Sequence, residues 1–308
     1  MKKSQQPDSY RSGFVAIIGR PNVGKSTLMN ALLGQKVAAV SPRPQTTRQR
    51  QLGILTLPQA QIIFIDTPGI HTPHHMLGKA LNTLAAEALQ DADAIVFIVD
   101  ASQPPSEEDR LIAAQISSLR PLPYTLLALN KSDLLQGQPL ADNRQAFQSL
   151  LPQSVALELS ALTGTGIPEL QSLLIARLPA HESFYPPDQV TDAYERQIAS
   201  DLIREAALIH LRDEVPHAMA VRVDEYRERD ESGAYVAATL FVEKESQKGI
   251  VIGQAGSMLK KIGTHARQSI EAMTGRKIFL ELRVKVNKNW RNNASVLRQM
   301  GYAVETGE

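Results

Sequence analysis

Between residue 13 and about residue 178 the chain alternates two hydrophobic patterns. Phe14–Ile18, Leu52–Leu57, Gln61–Asp66, Ala94–Asp100, Thr125–Asn130 and Val155–Leu159 are short, mostly apolar runs of strand length. Between them, Lys25–Leu33, Leu77–Ala88, Glu107–Ser118, Asn143–Leu150 and Ile167–Leu178 repeat apolar residues at helical spacing. Strands that alternate with helices predict an α/β fold with an open, mostly parallel sheet. Residues 1–12 are polar and read as a flexible tail. Pro179, Pro186 and Pro187 mark residues 179–191 as a linker.

Beyond the linker the pattern changes. Ile198, Leu202, Ile203, Ala206, Ile209 and Leu211 line one side of a helix that ends before Pro216. Two alternating runs, Ala218–Tyr226 and Ala234–Glu243, flank the polar stretch 228–233 and predict a hairpin. Ile250-Val251-Ile252-Gly253-Gln254-Ala255-Gly256 then leads into a helical stretch through Ala272. In the following strand, Lys277–Val286, the residues Ile278, Leu280, Leu282, Val284 and Val286 share one face. Phe279, Glu281, Arg283 and Lys285 share the other. A second, α+β domain is expected over residues 192–303, with 304–308 as a tail.

Composition narrows the function. A chain of 308 residues has room for two cored domains. It has no Cys, which excludes a disulfide scaffold and a zinc-thiolate site. No apolar run approaches the roughly 18 residues that cross a bilayer, and the first twelve residues contain no signal-peptide core. A cytoplasmic protein is the expectation. The net charge of +1 hides a division along the chain. Residues 181–243 carry 6 Lys and Arg against 14 Asp and Glu, and residues 244–298 carry 12 against 3. Such a basic block is either the footprint of a phosphate-backbone partner or a solvated charged face.

The specific chemistry lies at the strand ends. Gly19-Arg20-Pro21-Asn22-Val23-Gly24-Lys25-Ser26 fits G-x-x-x-x-G-K-[ST], between a buried strand and the helix that continues through Thr27. Glycines let backbone N–H groups converge on one anion at the helix N-terminus. Lys25 then reaches the β- and γ-phosphates, and the Ser26 hydroxyl ligates Mg²⁺. Asp66-Thr67-Pro68-Gly69 closes the third strand. There Asp66 can hold Mg²⁺ through water and the Gly69 N–H can touch a γ-phosphate. Asn130-Lys131-Ser132-Asp133 closes the fifth. A carboxylate at Asp133 accepts from guanine N1–H and its exocyclic amine, donors that adenine does not present in this way. Ser160-Ala161-Leu162 closes the sixth, where a backbone N–H can meet guanine O6. His71, His74 and His75 raise a metal reading, but with no Cys to complete a site, a polar switch loop accounts for them better. Glu107-Glu108-Asp109 reads as an acidic first turn that complements the helix dipole.

These motifs, in this order, resemble a Ras-like GTPase. G-R-P-N-V-G-K-S-T-L-x-N, Gln45-Thr46-Thr47-Arg48 and D-T-P-G-I-H are similar to the bacterial Era branch. The α-β-β-(GxxG)-α-β order, with V-I-G-x-x-G, Lys260-Lys261 and the run to Trp290, resembles a type II KH domain. The G-x-x-G turn of such a domain clamps about four nucleotides.

The resemblance spans roughly residues 13–303. It implies slow GTP hydrolysis, with Lys25, Thr47, Asp66 and Gly69 as the catalytic set. Thr47, or Thr46 beside it, would close over Mg²⁺. Ile70 stands where Ras-like relatives place the water-orienting Gln, and Asn22 stands where related enzymes recruit K⁺. It also implies RNA contacts from Ile252, Gly253, Gln254, Ala255, Gly256, Lys260, Lys261, Lys285 and Lys288. Trp290 either stacks on a base or packs the last helix. The implied partners are the 3′ end of 16S ribosomal RNA and the 30S subunit, whose assembly a monomer would assist with GTP gating the RNA contact. The rival is a membrane-peripheral GTPase whose basic block meets anionic lipid. A P-loop kinase or ATPase is the other alternative.

Overall fold

The computed structural model describes residues 10–41, 48, 50–73, 75–135, 141–193, 195–230 and 233–302. The chain divides into two compact units, the first drawn mostly from the residues before Ala193 and the second mostly from Ala193 onward, with Pro73–Ala80 among the earlier residues grouped with the second. In the first, the order is β1 (Arg11–Ile18), α1 (Lys25–Leu33), β2 (Gln51–Thr56), β3 (Ala60–Asp66), α2 (Met76–Gln90), β4 (Ala94–Asp100), α3 (Glu107–Ser118), β5 (Tyr124–Asn130), α4 (Ala141–Leu150), β6 (Val155–Glu158) and α5 (Ile167–Ile175). The sheet order is β2-β3-β1-β4-β5-β6. Only the β2–β3 pairing is antiparallel. β3 and β4 are buried at every residue, as strands covered on both faces must be.

β1 starts at Arg11, three residues before the apolar run. Its polar start is held by backbone pairing instead. Arg11 lies opposite Ala60, and the Ser12 N–H donates to the Pro179 carbonyl at 3.1 Å. Tyr10 is buried as well, so residues 10–12 are not part of a free tail. The proline-containing stretch after α5 is laid along the sheet. Buried Gln61 accepts from the Phe184 and Tyr185 N–H groups at 2.8 and 3.0 Å and donates to the Tyr185 carbonyl at 2.9 Å. Further on, the Ile54 N–H donates to Val190 O at 2.9 Å, and the Leu52 N–H to Asp192 Oδ1 at 2.9 Å.

The second unit contains α6 (Glu195–His210), β7 (Ala220–Asp230), β8 (Gly233–Val242), α7 (Glu245–Ile252), α8 (Ser257–Thr274), β9 (Lys277–Val286) and α9 (Ala294–Gln299). The hairpin β7–β8 is antiparallel, and β9 joins β8 in parallel. A parallel neighbour requires a crossover, which α7 and α8 supply. The core combines Leu202, Ile203 and Ala206 of α6 with Val236, Ala238 and Leu240 of β8 and Ile262, Ala266 and Ile270 of α8. The sequence pattern missed α7, because its first turns are polar and Val251 is its buried residue.

Candidate functional site

Parallel β1, β3, β4, β5 and β6 bring Ile18, Asp66, Asp100, Asn130 and Glu158 to their carboxyl ends at one edge of the sheet. Ligands of open α/β sheets bind at this edge. The loop Gly19–Gly24 leaves β1 there. A Cβ on Gly19 would lie 2.3 Å from Ile98 O, and one on Gly24 would lie 2.4 Å from Asn130 Nδ2. Gly24 also holds φ at +106°, a region open to glycine. Asn22 has φ of 64° and lies exposed on the loop, while Val23 is buried beneath it.

Lys25 is 6% exposed and folds back on the loop, donating to Gly19 O at 3.0 Å and Arg20 O at 2.9 Å. Burial pushes its ammonium down to about 8; Asp66 opposes that, Arg20 adds to it and Glu108 opposes it. An anionic phosphate brought against Lys25 favours the charged form again.

The Ser26 hydroxyl donates to Asp66 Oδ2 at 2.8 Å. A hydroxyl and a carboxylate in contact are hard oxygen donors of the kind that suits Mg²⁺. Thr67 donates to Ile17 O at 2.9 Å, fixing the turn after β3. Pro68 is buried in that turn. Gly69 meets the phosphate loop so closely that a Cβ there would lie 2.7 Å from the Pro21 nitrogen. Ile70 is 3% exposed and packs with Ala85 and Leu89. Thr46 and Thr47 lie outside the described residues, as does His74. The His71 ring sits 3.0 Å from Gly69 O. Among the described residues no group of three or more His, Cys, Asp or Glu could hold a metal ion.

Asn130 joins three loops. Its Nδ2 donates to Val23 O of the phosphate loop at 2.7 Å, and its Oδ1 accepts the Ala161 N–H at 2.9 Å. The Ser132 N–H reaches Leu159 O at 3.2 Å, and Ser160 Oγ donates to Asp133 Oδ1 at 2.5 Å. Lys131, at φ of 66°, donates to Asp100 Oδ2 at 2.7 Å. Leu162 is 78% exposed beside these loops. Asp100 and Asp109 were not among the sequence candidates for nucleotide contact. Asp109 lies 3.3 Å from Arg20 of the loop.

In the second unit the turn Gly253–Gly256 joins α7 to α8. Gly253 has φ of 73°, and a Cβ there would come within 2.7 Å of the Met258 Cβ. Gln254 and Ala255 are exposed at the tip, Gly256 has open space around it, and Ile252 is half-buried behind. A groove of about 410 Å³ runs from Gly256 between α8 and β9, lined by Leu259, Lys260, Arg267, Leu280 and Leu282. It combines an apolar floor with cations, which suits bases and phosphates together.

Arg267 is a site residue that the sequence reading missed. It falls one helical heptad after Lys260, a spacing that puts the two on one face. Lys261 and Lys285 are not in the groove: Lys261 acts on His210 of α6, and Lys285 lies on the other face of β9 from Leu280 and Leu282. Lys288 is exposed just beyond β9. Trp290 is corrected from a base-stacking candidate to a core residue. It is fully buried and donates its indole N–H to Ala218 O at 2.9 Å.

A phosphate-binding glycine loop coupled to guanine-type loops, followed by a G-x-x-G domain, defines a P-loop GTPase joined to a KH domain. Residues 14–131 match the protein family described as "50S ribosome-binding GTPase", and residues 214–291 match the KH domain family. GTPase Era of Heliobacterium modesticaldum is 43% identical over 96% of this chain and 98% of its own length. GTPase Era of Nostoc sp. is 46% identical over 98% of this chain and 92% of its own length. The chain therefore belongs to the Era family of GTPases. Era crystallised with MgGDPNP and nucleotides 1506–1542 of 16S ribosomal RNA matches 96% of this chain and 100% of its own, at 37% identity and a TM-score of 0.89. A point variant of Aquifex aeolicus Era bound to GDP.AlF4- matches the same shares at 37% identity and a TM-score of 0.90. Among the described residues, no helix is long and apolar enough to cross a membrane.

Proposed function

We propose that this GTPase binds the 3′ end of 16S ribosomal RNA through its second unit, acts in 30S subunit assembly, and gates RNA binding by its nucleotide state. The observation that carries the proposal is the full-length likeness to Era bound to MgGDPNP and 16S nucleotides 1506–1542. The family description matched over residues 14–131 names the other ribosomal subunit. It describes one domain, and the match that includes the KH unit and its RNA carries more weight.

In this reading Gly19–Thr27 hold the phosphates, and Ser26, Asp66 and Thr47 or Thr46 hold Mg²⁺ when it is bound. Mg²⁺ there neutralises phosphate charge. Asp66–Ile70 sense the γ-phosphate, and Asn130–Asp133 with Ser160–Leu162 read the base. Gly253–Gly256, Lys260 and Arg267 hold the RNA strand. Fluorescence anisotropy with a short RNA ending in the 16S 3′ sequence tests the proposal. Binding is expected to strengthen when a non-hydrolysable GTP analogue replaces GDP. It should fall at least about tenfold in Gly253→Asp, where a side chain crowds Met258 and a carboxylate faces phosphate. Weak binding, blind to nucleotide and to this substitution, would overturn it.

The buried Ile70 supports slow intrinsic hydrolysis, since it offers no carboxamide to orient water. Exposed Asn22 supports K⁺ stimulation. Turnover is expected to be faster in K⁺ than in Na⁺ buffer and to lose that difference in Asn22→Ala; equal rates in both buffers would refute K⁺ stimulation. The chain is taken to work as a cytoplasmic monomer, with its basic block also making peripheral contact with anionic lipid at the inner face of the membrane. Flotation with anionic liposomes, with and without competing RNA, tests that contact.

A further inference from the structure

The acidic start of α3 does more than complement a helix dipole. Asp109 is fully buried. Its Oδ2 accepts the Ser106 N–H at 2.9 Å and the Ser106 hydroxyl at 2.8 Å, while Ser106 Oγ accepts the Asp109 N–H at 3.2 Å. This is a capping box. A neutral carboxamide at position 109 would accept the same two bonds, so the cap alone does not require a charge.

The charge faces the phosphate loop. Asp109 Oδ2 lies 3.3 Å from Nε of Arg20, whose side chain is 18% exposed. Arg20 also supplies the carbonyl that accepts Lys25 Nζ at 2.9 Å. A fully buried carboxylate needs such a cation, since burying it unpaired is costly. Ser106, Asp109, Arg20 and Lys25 therefore form one chain of polar contacts from the α3 cap into the loop.

We propose that Asp109 is a positioning residue for GTP binding, fixing Arg20 against the first turn of α3 and so holding the shape of the phosphate loop. The proposal rests on the reading of Gly19–Ser26 as that loop. Glu108 of the same turn acts separately, on the Lys25 ammonium, where it favours the charged form.

The test is kinetic. In Asp109→Asn, a fluorescent GDP analogue is expected to dissociate about tenfold faster, within what breaking one buried ion pair costs. KM for GTP should rise about tenfold with kcat within about twofold of wild type, because a loop shape that serves bound substrate and transition state alike acts on binding. Arg20→Gln should reproduce the change, and the double variant should be no worse than the more severe single one. A merely structural role would lower the melting temperature and the active fraction, hence apparent kcat, and leave KM unchanged. Removing a helix cap elsewhere in the chain, in Asn293→Ala at the start of α9, supplies that comparison, with a lower melting temperature and unchanged KM.

Should Asp109→Asn fail to fold, Arg20→Gln carries the test. Unchanged KM and GDP release in folded Arg20→Gln overturn the proposal. Lys25→Ala separates the two levels. If it abolishes nucleotide binding while the Asp109 and Arg20 variants bind as wild type, the positioning role alone is wrong. If Lys25→Ala binds nucleotide normally, the phosphate-loop reading falls and the inference with it.

Discussion

Asp133→Asn is expected to exchange GTP for xanthosine triphosphate as the preferred nucleotide. Asp133 is exposed where it follows β5, and Ser160 of the neighbouring loop donates to its Oδ1 at 2.5 Å. Guanine presents two adjacent donors, N1–H and the exocyclic amine, to an ionised carboxylate. Hydrogen bonds to a charged group are worth about 1.5–3 kcal/mol each. Replacing one carboxylate oxygen with an amino group turns one of these bonds into donor against donor and leaves the other to a neutral, weaker acceptor. GDP and GTP affinity should therefore fall at least about hundredfold. Xanthine carries a carbonyl in place of the amine and accepts from the new Asn, so xanthosine nucleotides should gain. Competition of GDP and xanthosine diphosphate against a fluorescent nucleotide measures the exchange. A folded variant that still prefers GDP as wild type does would show that Asp133 does not read the base. The loop is well braced for this role. Asn130 fixes β5 to both the phosphate loop and Ala161, so the substitution acts on a prepared site.

Local signals made part of this legible. Helix α1 runs over Lys25–Leu33 as its spacing predicts, because Gly24 and Gly34, both at positive φ, punctuate it. β4 occupies Ala94–Asp100, its whole apolar run. Features that depend on a distant partner left no such trace. Gln61 reads as a polar residue at the start of an apolar run, yet it is buried and clamps Phe184 and Tyr185 from more than a hundred positions away. Arg11 and Ser12 look like tail, and backbone pairing makes them strand. Asp109 looks like a dipole residue, and only the fold brings Arg20 against it. Arg267 was within reach, since its distance from Lys260 is a helical repeat. The sequence carries periodicity and punctuation well; it does not record which polar side chain meets which.

Trp290→Ala should unfold the second unit rather than merely weaken RNA binding. Trp290 is the largest fully buried side chain among the described residues. Removing a buried Trp typically costs about 3–5 kcal/mol through lost burial and the cavity left behind. Its indole N–H is also bonded to Ala218 O, just ahead of β7. Leaving that carbonyl unsatisfied adds about 1–3 kcal/mol where water cannot enter. The sum approaches the whole stability of an ordinary domain, about 5–15 kcal/mol. The melting transition of this unit should drop by about 15 °C or more, or vanish at about 37 °C. Nucleotide binding belongs to a unit with its own core and should persist. A base-stacking Trp would behave differently, costing about 1–3 kcal/mol of RNA affinity at unchanged melting temperature. Trp290→Phe sharpens the distinction. It keeps most of the buried volume and loses the hydrogen bond, so a smaller fall in melting temperature with near-normal RNA affinity is expected. Retained stability with lost RNA binding in both variants would return Trp290 to the RNA surface.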